Sequence, residues 1–206
     1  MRNDDIEILG MIEFSDTASA VSALDTMVKA APIEVLRILQ VNPGKTVLFI
    51  GGDVASVELA LQAGERVGDG KPVDQGSSSS TLIGTTFLPN VHPSVSAALR
   101  GRSVDSRDVS SLGVVDGSSI TGIVFAADAA AKDADVVVME LRMGDSMGGR
   151  ASMRLTGELY ELESAMEVAK SYLVERGQLI SAVVIANPHD DVLTTLENWS
   201  GINNDR

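Results

Sequence analysis

Apolar positions in this chain fall into short runs that switch between strand and helix spacing. Ile6–Phe14 is apolar on both faces around Leu9-Gly10 and reads as a buried strand. Ala20, Leu24, Met27, Val28 and Ala31 then recur at helical spacing, with Ser15 or Asp16 placed to cap the helix and Pro32 to end it. Val35–Val41 and Thr46–Ile50 are rich in β-branched residues and flank Asn42-Pro43-Gly44-Lys45. That composition predicts two strands joined by a tight connection, because Pro43 fixes φ and Gly44 accepts a positive one. Gly51-Gly52 turns the chain, and Asp53 caps a helix over Val54–Val67 that Gly68 and Gly70 stop. Lys71–Ser80 is a loop with Gly76-Ser77-Ser78-Ser79-Ser80 as its flexible centre. Thr81–Leu88 is a strand, and Pro89-Asn90-Val91-His92-Pro93 leads into a short helix over Ser94–Leu99.

After the polar linker Arg100–Ser110 the pattern is written again. Strand Leu112–Asp116, helix Ser119–Ala131, strands Val136–Met143 and Ala151–Leu155, helix Leu159–Val174 and strand Leu179–Ile185 follow in order. Ala186-Asn187-Pro188-His189 turns into helix Asp190–Leu196, and a polar tail begins at Asn198. The register is checkable. At an offset of 103, Leu9, Gly10, Ser15, Val21, Ala23, Asp25, Lys29, Ala31 and Val35 meet identical residues. Past the longer second connection the offset is 105, pairing Gly44 with Gly149, Gly52 with Gly157 and Glu58 with Glu163. Past the serine-rich loop it is 97, pairing Asn90, His92, Val95 and Leu99 with Asn187, His189, Val192 and Leu196. Each half is therefore a β-α-β-β-α-β unit with a trailing helix, an α/β (α+β) chain of two ferredoxin-like domains. Their expected bounds are 5–100 and 110–197, with 198–206 as the tail.

Composition narrows the function. Hydrophobic residues make up 44% but aromatic residues only 3%, so the cores must be aliphatic. No apolar run approaches the length of a membrane span, and the polar start Met1-Arg2-Asn3-Asp4-Asp5 is not that of a secretory leader. With 0 cysteines there are no disulfides, thiolate metal sites or cysteine nucleophiles, as expected for a cytosolic protein. A net charge of −13 disfavours nucleic acid and anionic membranes, and few aromatics are available for base stacking.

Candidate chemistry is thin. Gly144-x-x-x-x-Gly149-Arg150-Ala151 has phosphate-loop spacing, but Arg and Ala replace the Lys and Ser/Thr it needs, and a strand follows instead of a helix. Gly51-Gly52-Asp53 and Thr156-Gly157-Glu158 open helices, and their acids would repel an anion, which leaves plain strand-to-helix turns. His92 and His189 sit beside Asn90 and Asn187, where local turn hydrogen bonding explains them better than a metal. Glu13 and Asp116 are equivalent acids at strand ends with no nucleophile in reach, and solvation at a sheet edge is the expectation.

Several segments resemble the bacterial microcompartment shell domain: Leu9-Gly10-Met11-Ile12-Glu13, Ala23–Ala31, Gly51-Gly52-Asp53-Val54 and Leu88-Pro89-Asn90-Val91-His92, with counterparts Leu112–Asp116, Ala126–Lys132, Thr156–Leu159 and Ile185–His189. Two unpermuted copies are similar to the tandem-domain shell trimers, closest to the propanediol-utilisation type. The resemblance implies a structural, non-enzymatic shell component in the cytoplasm. It implies a homotrimer forming a pseudohexameric tile beside hexameric and pentameric shell proteins, with a central pore for small polar metabolites. Asn42, Pro43, Gly44, Asp145, Ser146, Met147 and Gly148 match the pore-lining loops, and Lys29, Lys132, Asn90, His92, Asn187 and His189 match the tile edge. The corner arginine is replaced by Asn90 and Asn187, and the cysteine that holds an iron–sulfur cluster in the propanediol type is replaced by Asn42, so no cofactor is expected. A ferredoxin-like repeat also suits a trimeric small-molecule-binding regulatory module, which stays open as the alternative.

Overall fold

The computed structural model describes residues 6–69, 80–102, 109–144 and 147–200, with the backbone only for 197–200. The first half runs β1 (Leu9–Phe14), α1 (Thr17–Ala30), β2 (Glu34–Val41), β3 (Lys45–Gly51), α2 (Val54–Asp69), β4 (Leu82–Leu88) and α3 (Pro93–Leu99). The second runs β5 (Ser111–Gly117), α4 (Ile120–Asp133), β6 (Val136–Met143), β7 (Ala151–Gly157), α5 (Leu159–Glu175), β8 (Leu179–Ala186) and α6 (Asp190–Ser200). Each half forms an antiparallel four-stranded sheet, ordered β2-β3-β1-β4 and β6-β7-β5-β8. This is the ferredoxin-like arrangement the repeated order predicts.

Local signals place most element ends. Asp16 caps α1 through Ser19 N, Ser119 caps α4 through Gly122 N, and Pro93 opens α3. Asp53 accepts from both the backbone nitrogen and the hydroxyl of Ser56, and these bonds hold its carboxyl below the usual range. Helix α6 reaches Ser200, past the expected end at Leu196.

Central position explains why β1 is apolar on both faces. Ile12 and Phe14 join Leu48, Ile50 and the inner faces of α1 and α2 in the first domain's own core. Leu9 and Met11 point the other way, into a cluster that also holds Phe49, Val95 and Leu99 and runs on through α4 into the second domain. Gly10 and Gly113 allow the helices to close on their sheets. A Cβ at Gly10 would lie 2.7 Å from Val57, and one at Gly113 would lie 2.7 Å from the Met166 sulfur.

The seam between the domains is a packed interior that encloses charge. Glu13, expected at a solvated edge, is instead 0% exposed. Its Oε2 accepts from Ser119 Oγ at 2.8 Å, Ile120 N at 2.9 Å, and the Thr121 nitrogen and hydroxyl at 3.3 Å each. A carboxylate of the first domain thus caps the N-terminus of α4 in the second, where the helix dipole favours a negative charge. Its Oε1 pairs with Lys45 Nζ at 3.1 Å. The edge expectation failed because strand alternation gives a side chain's face but not what another domain lays over that face.

Removing one partner of a buried pair leaves the other charge uncompensated. Glu13→Ala is expected to lower unfolding stability by about 3–5 kcal/mol. In urea titrations, Glu13→Gln combined with Lys45→Met should cost less than the two single changes together, because the survivor is no longer a lone buried charge.

Candidate functional site

The two strand–strand connections, separate in sequence, lie side by side. Asn42, Pro43 and Gly44 are exposed at the tip of the β2–β3 turn. The Asn42–Pro43 peptide is cis, Gly44 has φ 108°, and its nitrogen donates to Val41 O at 2.9 Å. In the β6–β7 connection Met147 is half-buried with its nitrogen 3.3 Å from Gly144 O, and Gly148 is exposed at φ 59°. Asp145 and Ser146 lie outside the described residues. Gly149 is buried with φ 78°, and a side chain there would meet Asn42 O at 3.1 Å and Pro43 at 3.3 Å. Only glycine fits a left-handed residue pressed against the neighbouring loop.

Lys45 fastens this pair. Its ammonium donates to Gly149 O at 2.9 Å and Ser118 O at 2.8 Å as well as to Glu13, so all three of its donors are used. The side chain therefore turns inward, beneath the loops. Arg150, its repeat counterpart, is exposed. Sequence reading placed Lys45 next to the loop but missed its role, since each acceptor comes from a different element and two belong to the other domain.

The tile-edge candidates form two clusters. Lys132 pairs with Asp128, whose Oδ1 accepts from His92 N at 2.7 Å across the domain seam. His92 Nδ1 lies 2.8 Å from Ser94 Oγ and 3.3 Å from Ser94 N, and Asn90 is exposed beside it. Lys29 pairs with Asp25 at 2.7 Å on the outer face of α1. Asn187 is exposed in a left-handed conformation at φ 48°, and His189 Nδ1 accepts from Asp191 N at 3.2 Å. Both histidines thus serve their local turns. The structure joins His92 to Lys132 through Asp128 but leaves Lys29 far along the chain from the second corner.

A tandem ferredoxin-like protein with paired loops at one end and repeated polar corners matches a known class. Both halves match the BMC domain family, over residues 9–85 and 111–188, and the chain belongs to that family. It is 30% identical over 187 residues to the bacterial microcompartment shell protein PduT of Citrobacter freundii, covering 90% of this chain and 95% of that one. The carboxysome assembly protein CcmO of Synechococcus elongatus is 28% identical over 198 residues, with 91% of this chain and 68% of that protein covered. Among solved structures, a microcompartment protein from Desulfitobacterium hafniense superposes with a TM-score of 0.72 at 33% identity, covering 91% of this chain and 98% of that one.

If Lys45 fastens the two loops, Lys45→Met should speed amide exchange at Gly149–Ala151 and Gly44 by about tenfold beyond the general loss of protection that the unpaired Glu13 causes in β5. Hydrogen-exchange mass spectrometry gives the comparison. Exchange that rises equally across both sheets would leave Lys45 only its part in the buried pair.

Proposed function

We propose that three copies of this shell component close head to tail into a pseudohexagonal tile with a central pore, and that the tile has no catalytic role. The observation that carries the reading is a difference between equivalent residues of the two repeats. Val124 on α4 is 0% exposed at the domain seam, whereas its counterpart Val21 on α1 is 59% exposed. Val138 is 2% exposed and its counterpart Val35 is 39% exposed. Asp128 is 3% exposed against 61% for Asp25. The same side chains, in the same register, are covered on one side of the chain and open on the other.

The covering elements repeat too. Strand β4 is sheltered by α4, while β8 exposes Ile180, Val183 and Ile185. Strand β6 is covered by α3, while β2 exposes Val35 and Ile38. Each chain therefore has a surface that fits an α1 and an α1 that fits such a surface. Two different complementary surfaces make a heterologous contact, which closes as a ring when the rotation allows. Burying valines of this kind contributes about 1.5–3 kcal/mol each. In the ring, Asp116 faces the start of the neighbouring α1 as Glu13 faces α4, and Asp25 takes the backbone of the neighbour's corner at 189.

Threefold closure gathers three copies of the paired loops around one axis. Asn42 there offers donors and acceptors to neutral polar solutes. Asp145 adds a ring of carboxylates that disfavours anions. Lys29, Lys132, Asn90, His92, Asn187 and His189 form the outer rim that meets hexameric and pentameric shell proteins.

Val21→Glu should leave the chain folded but monomeric by light scattering, because residue 21 is already solvated in one chain. Val124→Glu should unfold it, since a lone buried charge costs several kcal/mol. A Val21→Glu protein of unchanged mass would contradict ring closure through α1. For the pore, Asp145→Lys should shift planar-bilayer selectivity from cations toward anions, and an unchanged preference would leave Asn42 and the loop backbone as the selective elements.

A further inference from the structure

A second polar feature lies at the domain seam, separate from the loop pair. Between β4, the start of α4 and the α5–β8 turn is a cleft of about 300 Å³, lined by Thr85, Thr86, Thr121, Tyr172, Arg176 and Gln178. That is near the lower limit for small-molecule sites, enough for a metabolite of a few carbons.

Hydrogen bonds tie the walls of the cleft together, yet its polar atoms are not all used. Thr86 Oγ1 donates to Thr121 O at 3.0 Å across the seam, joining the two walls. Gln178 is anchored by its backbone, its nitrogen donating to Leu173 O at 2.8 Å and its oxygen accepting from Ser118 N at 2.9 Å. Its side-chain amide lies over Gly122, where any Cβ would be 2.1 Å from Oε1. Thr85 Oγ1 and Gln178 Oε1 are buried and have no hydrogen-bond partner among the described residues. Such groups are costly to leave unsatisfied unless a partner occupies the site.

A cation stands at the same cleft in an otherwise acidic chain. The Arg176 guanidinium lies 3.8 Å from the centre of the Tyr172 ring, which in turn stacks on Phe125 at 4.2 Å. One of its nitrogens donates to Tyr172 O at 3.3 Å and makes a long ion pair with Glu175 at 3.9 Å. Stacking fixes the plane of the fork and leaves donors for a ligand. A guanidinium so presented matches the two oxygens of a carboxylate.

We infer that this cleft binds a small hydroxy- or amino-carboxylate, with Arg176 on the carboxylate and with Thr85 and Gln178 on the adjoining hydroxyl or amine. Its walls come from both domains of one chain, so the site does not require the ring. A bound ligand bridges the seam and stabilises it by mass action.

Titration calorimetry of the full chain with lactate and with serine, using glycerol and inorganic phosphate as comparisons, tests this. The expected result is a dissociation constant of about 1 mM or tighter for at least one carboxylate. It should weaken about tenfold or more in Arg176→Gln, with the unliganded melting temperature unchanged. Thr85→Val should weaken it too. If Arg176→Gln does not fold, Arg176→Lys keeps the charge, removes the fork and should show the same loss. No heat with either carboxylate would overturn the proposal. So would glycerol or phosphate binding as tightly, or affinity that survives both the Arg176 and Thr85 changes.

Discussion

The architecture depends on one buried carboxylate. Glu13 sits at the end of the first domain's central strand, capping the second domain's first helix and pairing with Lys45. Such a charge is tolerable only when fully satisfied, and four donors on α4 plus the ammonium satisfy it. The orientation of the domains is therefore fixed by hydrogen-bond direction as well as by apolar area. Lys45 extends that constraint outward to Gly149 and so to the paired loops.

Duplication turns this junction into a pattern. A repeat that buries one copy of a surface inside the chain necessarily carries a second copy at the outside. Val21 and Val35 are buried in their second-domain positions and open in their first-domain ones, with no change of residue. The copies are not identical in charge. Asp116, with Arg150 as the counterpart of Lys45, is one methylene shorter than Glu13, and in the proposed ring it would face a helix capped by Asp16 instead of Ser119. The proposed outer contact would therefore be weaker or differently hydrated than the inner one, which suits an interface that assembles after folding.

Much of the fold was legible because periodicity, caps and turn residues agree along the chain. Asp16, Ser119 and Pro93 stand where the capping rules put them. Glu13 was misread because its partners lie more than a hundred positions away, beyond any local signal. The cleft at Arg176 left no motif either: Thr85, Gly122 and Gln178 are unremarkable alone and meaningful only when β4 and α4 are brought together. Helix α6 outran its expected end because polarity at Asn198 was read as fraying, while Asp190 and Asp191 in its first turn favour the helix.

The most direct measurement is an experimental structure of the purified assembly at a resolution that shows side chains. The expected result is a threefold ring in which Asp25 accepts from the backbone nitrogen of the partner subunit's His189, close to the 2.7 Å found between Asp128 and His92 inside the chain. Val21 and Val35 should be buried there as Val124 and Val138 already are. An assembly joined by a twofold axis, or one that leaves α1 in solvent, would contradict the account.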